Sequence, residues 1–301
     1  MNAPLFDDII RRLRNEDSRW EGILDLKMAP CENDVDALIR LLKDPDWIVR
    51  WSVSEKLGDI GDIKALRPLL GLLSDDDFHV QKNAMKAIEK FGEKMVSLAV
   101  LYFQHEHVYV RKNIYNIFLS LGEKGVPLLR KEMGRHSWVI NNFILYTLYK
   151  INPENIDDIL KEALLIPCVQ KNAIVFLGIR RDPKMVPELV SRYEKPSLRR
   201  LILYAIKIIG RRESFSFIVR LLNHPSIYKQ AVDIIIKIGH PILPNLVISL
   251  TKPGFSNQQL IELIQKIGVE RVRDKLEILA KKDPEIERLM CTVRAPGDDN
   301  I

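Results

Sequence analysis

Apolar residues recur along the chain in steps of four, four and three. Val49, Val53, Leu57 and Ile60 show the pattern first; Val80, Ala84, Ile88 and Phe91 repeat it, followed by Val110, Ile114, Phe118 and Leu121. Ile140, Ile144, Leu148 and Ile151, then Ile227, Ala231, Ile235 and Ile238, carry the same spacing further on. Such steps hold side chains on one face of an α-helix, so each run predicts a half-buried helix. Ahead of the runs lie second apolar stretches, such as "IKALRPLLGLL", "GVPLLRKEM", "MVPELVSRY" and "ILPNLVISL". The turns between hold residues that start helices. Asp46 and Ser137 suit an N-cap, while Pro196, Pro225 and Pro253 suit the first helical turn, where a missing N–H costs nothing. The predicted unit is helix, short turn, helix.

A residue just past a helix end often sits in the left-handed region, where Gly or Asn is favoured. Gly61, Gly92 and Gly122 occupy such positions, followed by Asn152 and then Gly210, Gly239 and Gly268, at steps of 31, 30, 30, 58, 29 and 29 residues. The step of 58 is two periods, and the repeat inside it, "VQKNAIVFLGIRRD", carries Gly178 three places early. One helix pair of this size cannot bury its apolar stripe alone, so neighbouring pairs must stack. The expected fold class is therefore all-α, an α-solenoid (superhelix) of about eight helix-turn-helix repeats. Residues 1–31 are expected to form N-terminal capping helices, with Phe6, Ile9, Ile10 and Leu13 on one apolar face. Residues 32–282 form the repeat array, and 283–301 a C-terminal cap and loose tail.

These features resemble the HEAT repeat, in the short variety first described in phycobilisome lyases. The resemblance rests on Pro68, Asp77 and Val80 in one copy and on Asp46, Val49 and Arg50 in the copy before it. Pro127, Val110 with Arg111, Pro187 and Pro244 add partial matches. It implies that the turn aspartate and the second-helix arginine tie adjacent repeats together. That ladder is expected to decay along the chain, because Gln81, Asn141 and Gln170 take the arginine place and His107 the aspartate place. The resemblance also implies that the second helices line a concave groove.

Counting the valine of each second helix as zero, places two, three, six, nine and ten point away from the apolar stripe. They hold Lys82, Asn83, Lys86, Lys112, Asn113, Asn142, Tyr146, Lys150, Lys171, Asn172, Arg200, Tyr204 and Lys229, the candidate binding residues of the groove. From Lys82 to Lys207 these places carry eight basic residues and one acidic residue. Ammonium groups suit phosphates or carboxylates, amides supply hydrogen bonds and tyrosines offer flat surfaces. The recurrence of Asn83, Asn113 and Asn172 also admits a structural reading, in which each amide bonds its neighbour across repeats.

Composition narrows the remaining classes. Lys plus Arg total 46 against 40 for Asp plus Glu, a net charge of +6 that permits an acidic partner without requiring one. No apolar run approaches a membrane span, and the start of the chain lacks the apolar core of a signal peptide, so a cytoplasmic location is expected. Cys31, Cys168 and Cys291 form no CxxC pair and read as buried or idle thiols. His105, Glu106 and His107, with His136 one repeat later, raise a metal site, but sequence neighbours rarely all reach one ion, and none is expected.

Some HEAT-like hydroxylases carry His-Glu dyads at places two and three. Trp51-Ser52, Lys82-Asn83, Lys112-Asn113 and Lys171-Asn172 stand there in this chain. A metal-free DNA glycosylase would need a carboxylate beside aromatic residues, for which Asp233 and Tyr204 are the loose candidates. The reading is a non-enzymatic scaffold without a cofactor, presenting its groove to an acidic protein or peptide. The alternative is a nucleic-acid-binding protein or a glycosylase that uses the same groove.

Overall fold

The computed structural model describes residues 6–288 apart from 31–33, 211, 212, 253 and 285. Among these residues every regular element is helical. The chain divides into two compact units, Met1–Ile159 and Leu160–Ile301.

In the first unit, α1 (Phe6–Arg14) and α2 (Arg19–Met28) pack on each other ahead of four helix pairs. These are α3 (Val35–Leu41) with α4 (Trp47–Ile60), α5 (Leu66–Gly71) with α6 (Phe78–Glu89), α7 (Val96–Ala99) with α8 (Val108–Leu121), and α9 (Val126–Glu132) with α10 (Trp138–Ile151). The unit boundary falls inside α11 (Ile156–Ala163). The second unit continues with α12 (Gln170–Arg180), α13 (Val186–Ser191), α14 (Pro196–Ile209), α15 (Glu213–Arg220), α16 (Tyr228–Ile238), α17 (Leu243–Ser249), α18 (Asn257–Ile267) and α19 (Arg273–Ala280). From α3/α4 to α17/α18 the described chain forms eight helix pairs.

Within the first unit, α4 packs on α6, α6 on α8 and α8 on α10; within the second, α12 packs on α14, α16 on α18, and α13 and α17 on α15. This is solenoid-type stacking inside each unit. It buries the predicted stripe: Val49, Val53, Leu57, Val80, Ala84, Ile88, Ile114, Phe118, Ile144, Leu148, Ala231 and Ile235 are all fully inaccessible.

The second helices start as the sequence suggests. The Asp46 carboxylate accepts from Ile48 N–H at 2.9 Å, Asp77 from His79 and Val80 N–H at 2.7 and 3.1 Å, and Ser137 Oγ from Ile140 N–H at 3.4 Å. Pro196 opens α14, and Pro225 opens a 3-10 turn before α16. Pro253 lies outside the described residues, and α18 begins only at Asn257, capped by Ser256. First helices are more broken than the pattern implies. Ile63–Ala65 and Leu72–Ser74 are 3-10 turns on either side of α5, and Pro127, Pro187 and Pro244 sit in the first turn of α9, α13 and α17, where no helical N–H is lost.

The step of 58 resolves into two regular periods. α12 ends at Arg180 and its cap is Arg181, left-handed at φ 57°, which stands 29 residues after Asn152 and 29 before Gly210. Gly178 is therefore not an early cap. It is the counterpart of Gly58, three residues ahead of the cap, and both lie against an alanine of the next second helix. A Cβ on Gly58 would come within 2.7 Å of Ala87 Cα, and one on Gly178 within 2.9 Å of Ala205 Cα.

Candidate binding face

Places two and ten of the second helices behave as expected, while place three does not. Lys82 and Lys112 are exposed, but Asn83, one residue on, is buried in the seam between α4 and α6. Its amide donates to Trp51 O at 2.8 Å and to Ser54 Oγ at 3.1 Å. Asn113 likewise reaches back one repeat, to Leu73 O at 3.4 Å, and Asn142 bonds its own helix at Trp138 O at 2.7 Å. Of the two readings of the recurring amides, the structural one describes Asn83 and Asn113. Place nine is also a seam position where it holds Gly58 or Gly178, for the steric reason given above. Asn172 is exposed on α12.

The residues left facing solvent in the first unit are Lys82, Lys86, Lys112, Tyr146 and Lys150, on α6, α8 and α10. Among the described residues none of these four lysines forms an ion pair. Lys150 lies over the Tyr146 ring at 5.5 Å, and that ring stands 5.7 Å from Tyr115. Burial raises the Tyr115 phenol, with Tyr146 adding to the shift. Lys90, by contrast, is committed to Asp59 at 2.6 Å.

Beside this lysine face the structure forms a cleft of about 390 Å³ between α2, α4 and α6, with Trp20, Leu24, Trp51, Asn83 and Lys86 in its wall. Trp20 is 76% exposed and Leu24 62%. The repeat pattern does not reveal this wall, because α2 belongs to no repeat. A signal was nevertheless present: Trp20, Leu24 and Met28 recur every fourth residue, on a stripe separate from the buried Gly22 and Leu26.

In the second unit Lys171, Arg200, Tyr204 and Lys229 are all exposed, on α12, α14 and α16. Asp233, the carboxylate considered for glycosylase chemistry, is held by Lys237 at 2.8 Å. That hydrogen bond, with help from Tyr193, keeps its carboxyl below the ordinary range despite partial burial.

The expected decay of the ladder takes a different form. Arg50 makes a two-pronged ion pair with Asp75, both contacts at 2.8 Å, and also donates to Asp44 O and Pro45 O. Its acid is thus Asp75, two residues before the cap Asp77, and Arg14 pairs with the equivalent Asp44 one repeat earlier. No acid stands at the next step, where His105 replaces it. What persists is the bond to the turn: Gln81 donates to Asp75 O at 2.6 Å, Arg111 to His105 O at 2.5 Å, Asn141 to His136 O at 2.6 Å, Gln170 to Leu164 O at 2.6 Å and Arg199 to Tyr193 O at 3.1 Å. An amide reaches the carbonyl as well as a guanidinium does; only the cross-repeat ion pair is lost.

The histidines are spoken for locally. His105 stacks on Tyr102 at 5.8 Å, His107 on Tyr109 at 5.3 Å, and His136 meets Glu132 at 2.8 Å. No group of three metal-ligating side chains occurs among the described residues. Cys168 is exposed; Cys31 and Cys291 lie outside the described residues. No single described helix is long and apolar enough to cross a membrane.

Stacked helix pairs of 29–31 residues define a helical-repeat protein. Residues 35–102 match the family model of HEAT repeats, the kind of repeat that the motifs resemble. Among solved structures, human deoxyhypusine hydroxylase in complex with glycerol is similar at 16% identity and a TM-score of 0.31, over 76% of this chain and 94% of that one. The complex of CpcE and CpcF of phycocyanin lyase from Nostoc sp. PCC7120 is similar at 18% identity and a TM-score of 0.29, over 78% and 94%. No curated protein matches the chain.

Proposed function

We propose that the chain is a non-enzymatic binding scaffold whose first unit takes an acidic protein or peptide on the second-helix face of α6, α8 and α10. The observation that carries this reading is the run of exposed lysines, Lys82, Lys86, Lys112 and Lys150, that have no carboxylate partner among the described residues. Elsewhere in the same unit cations near carboxylates are paired, as in Arg50–Asp75, Arg19–Asp46 and Lys90–Asp59. A surface that leaves four like charges unsatisfied repels itself and gains from an incoming anion. The cleft edged by Trp20, Leu24 and Trp51 adds apolar and aromatic area, which supplies binding energy that charge alone does not. An acidic peptide with an aromatic or aliphatic anchor satisfies both features.

The test uses two fluorescent probes of equal negative charge, an acidic peptide carrying Trp and Leu and a single-stranded oligonucleotide. The peptide should bind the wild-type chain. The triple variant Lys82→Glu, Lys86→Glu, Lys112→Glu should bind it at least tenfold more weakly, with a shallower dependence on salt. Equal peptide affinity in wild type and variant refutes the face. Preferential binding of the oligonucleotide, with a steep loss as salt rises, transfers the site to the nucleic-acid alternative.

A further inference from the structure

The second unit holds a cleft between the first helices α15 and α17. It measures about 320 Å³ and is lined by Ser216 and Arg220 of α15, Asn245, Ile248 and Ser249 of α17, and Lys252 and Phe255 beyond it. Helix α17 and the residue after it bury Leu243, Leu246, Val247 and Leu250, the register in which α5 and the 3-10 turn after it bury Leu66, Leu69, Leu70 and Leu73. Asn245 and Ser249 thus stand where the earlier repeat has Pro68 and Leu72. Both are only 6% exposed, and burying polar side chains where the repeat admits apolar ones is costly unless they are bonded. They are bonded: Asn245 Nδ2 donates to Ser216 Oγ at 2.9 Å, and Ser249 Oγ to Asn245 O at 2.8 Å. The result is an ordered polar floor.

Above that floor stand two cations. None of the described lining residues is a carboxylate, and neither Arg220 nor Lys252 forms an ion pair among the described residues. The Arg220 guanidinium is steadied over the Phe217 ring at 5.7 Å. An arginine offers a planar fork matched to two oxygens of one anion, and a lysine adds a compact second charge. Ile248 and Phe255 supply an apolar wall on the same cleft. The volume lies at the small end for ligand pockets, which suits a small molecule rather than a chain segment.

From this arrangement we infer that the second unit binds a small phosphate monoester whose phosphate lies between Arg220 and Lys252 and whose apolar body lies against Ile248 and Phe255. The inference is independent of the lysine face of the first unit, since it uses other residues and another ligand class.

Calorimetric titration of the full chain with phenyl phosphate, inorganic phosphate and benzoate tests it. Phenyl phosphate should saturate a single site and bind more tightly than either of the others. Arg220→Gln and Lys252→Gln should each weaken it about tenfold or more, the usual effect of losing a charge-assisted hydrogen bond. Both side chains are exposed, so the thermal melts of the variants should overlay the wild type. Absence of saturable binding overturns the site, as does unchanged affinity in the double variant. Benzoate binding as tightly as phenyl phosphate overturns the phosphate assignment.

Discussion

Replacing Gly58 by alanine isolates the close approach of successive second helices. Taken alone, Gly→Ala in a helix interior is favourable by about 1 kcal/mol, because alanine loses less backbone entropy on folding. At Gly58 the new methyl would lie 2.7 Å from Ala87 Cα and 2.8 Å from Ala87 Cβ, distances that real Cβ atoms do not adopt. The obstacle is backbone and a methyl, so no side chain rotates away. α4 and α6 must separate along the seam that also holds the bonds from Asn83 to Trp51 and Ser54. Overpacking of this kind costs about 1–3 kcal/mol, and the strained Asn83 bonds add about 1 kcal/mol more. The net expectation is a loss of about 1–3 kcal/mol, because the steric term exceeds the propensity gain.

Gly71→Ala is the matched control. Gly71 ends α5, is exposed and has nothing within 4 Å of an added Cβ, so only the propensity gain remains. Urea titration followed by circular dichroism and tryptophan fluorescence should lower the midpoint for Gly58→Ala and raise it slightly for Gly71→Ala. If both variants are equally stabilised, helix contact at Gly58 is not close and the seam argument fails.

Other consequences concern single residues. Arg181→Gly should stabilise the chain by up to about 1 kcal/mol, since relief of a left-handed non-glycine residue exceeds the added freedom of glycine in the unfolded chain; a lower urea midpoint would contradict it. Arg50→Ala should cost about 2–4 kcal/mol by leaving the nearly buried Asp75 unpaired, whereas Gln81→Ala, which loses one bond to a carbonyl, should cost about 1 kcal/mol. Burial works to raise the Glu132 carboxyl, but hydrogen bonds from His136 and Ser97 outweigh it and hold the group below its ordinary 4.5. A depressed carboxyl contributes stability above its unfolded value and loses it as pH falls through the folded value. The stability gap between wild type and Glu132→Gln should therefore close on acidification below about pH 4.5, and a gap that stays constant down to pH 3 would refute the linkage.

Much of the fold was legible because helix burial is periodic. Val49, Val53 and Leu57 announce a buried face by spacing alone, and Asp46, Ser137 and Asn152 mark helix ends by chemistry that acts over three or four residues. The candidate face was legible only in part. Place two is exposed wherever the pattern put a lysine, but place three turns on how closely neighbouring helices approach, and that distance is not written in either helix. The cleft edged by Trp20 and the cleft of Arg220 and Lys252 combine residues from different helix pairs, which no single period brings into view.

The amino-acid sequence by itself determined an all-helical chain of about eight repeated pairs, most of their caps and their apolar stripes, since these depend on interactions within a few residues. Tertiary packing decided the rest. It made Gly178 a contact and Arg181 a cap, turned Asn83 and Asn113 inward, and kept the turn-staple bond where Gln81, Asn141 and Gln170 stand in place of arginine. It also left Lys82, Lys86 and Lys112 facing water without an ion-pair partner among the described residues. Each of these outcomes depends on where a neighbouring repeat places its backbone and charges, and that placement exists only once the repeats have stacked.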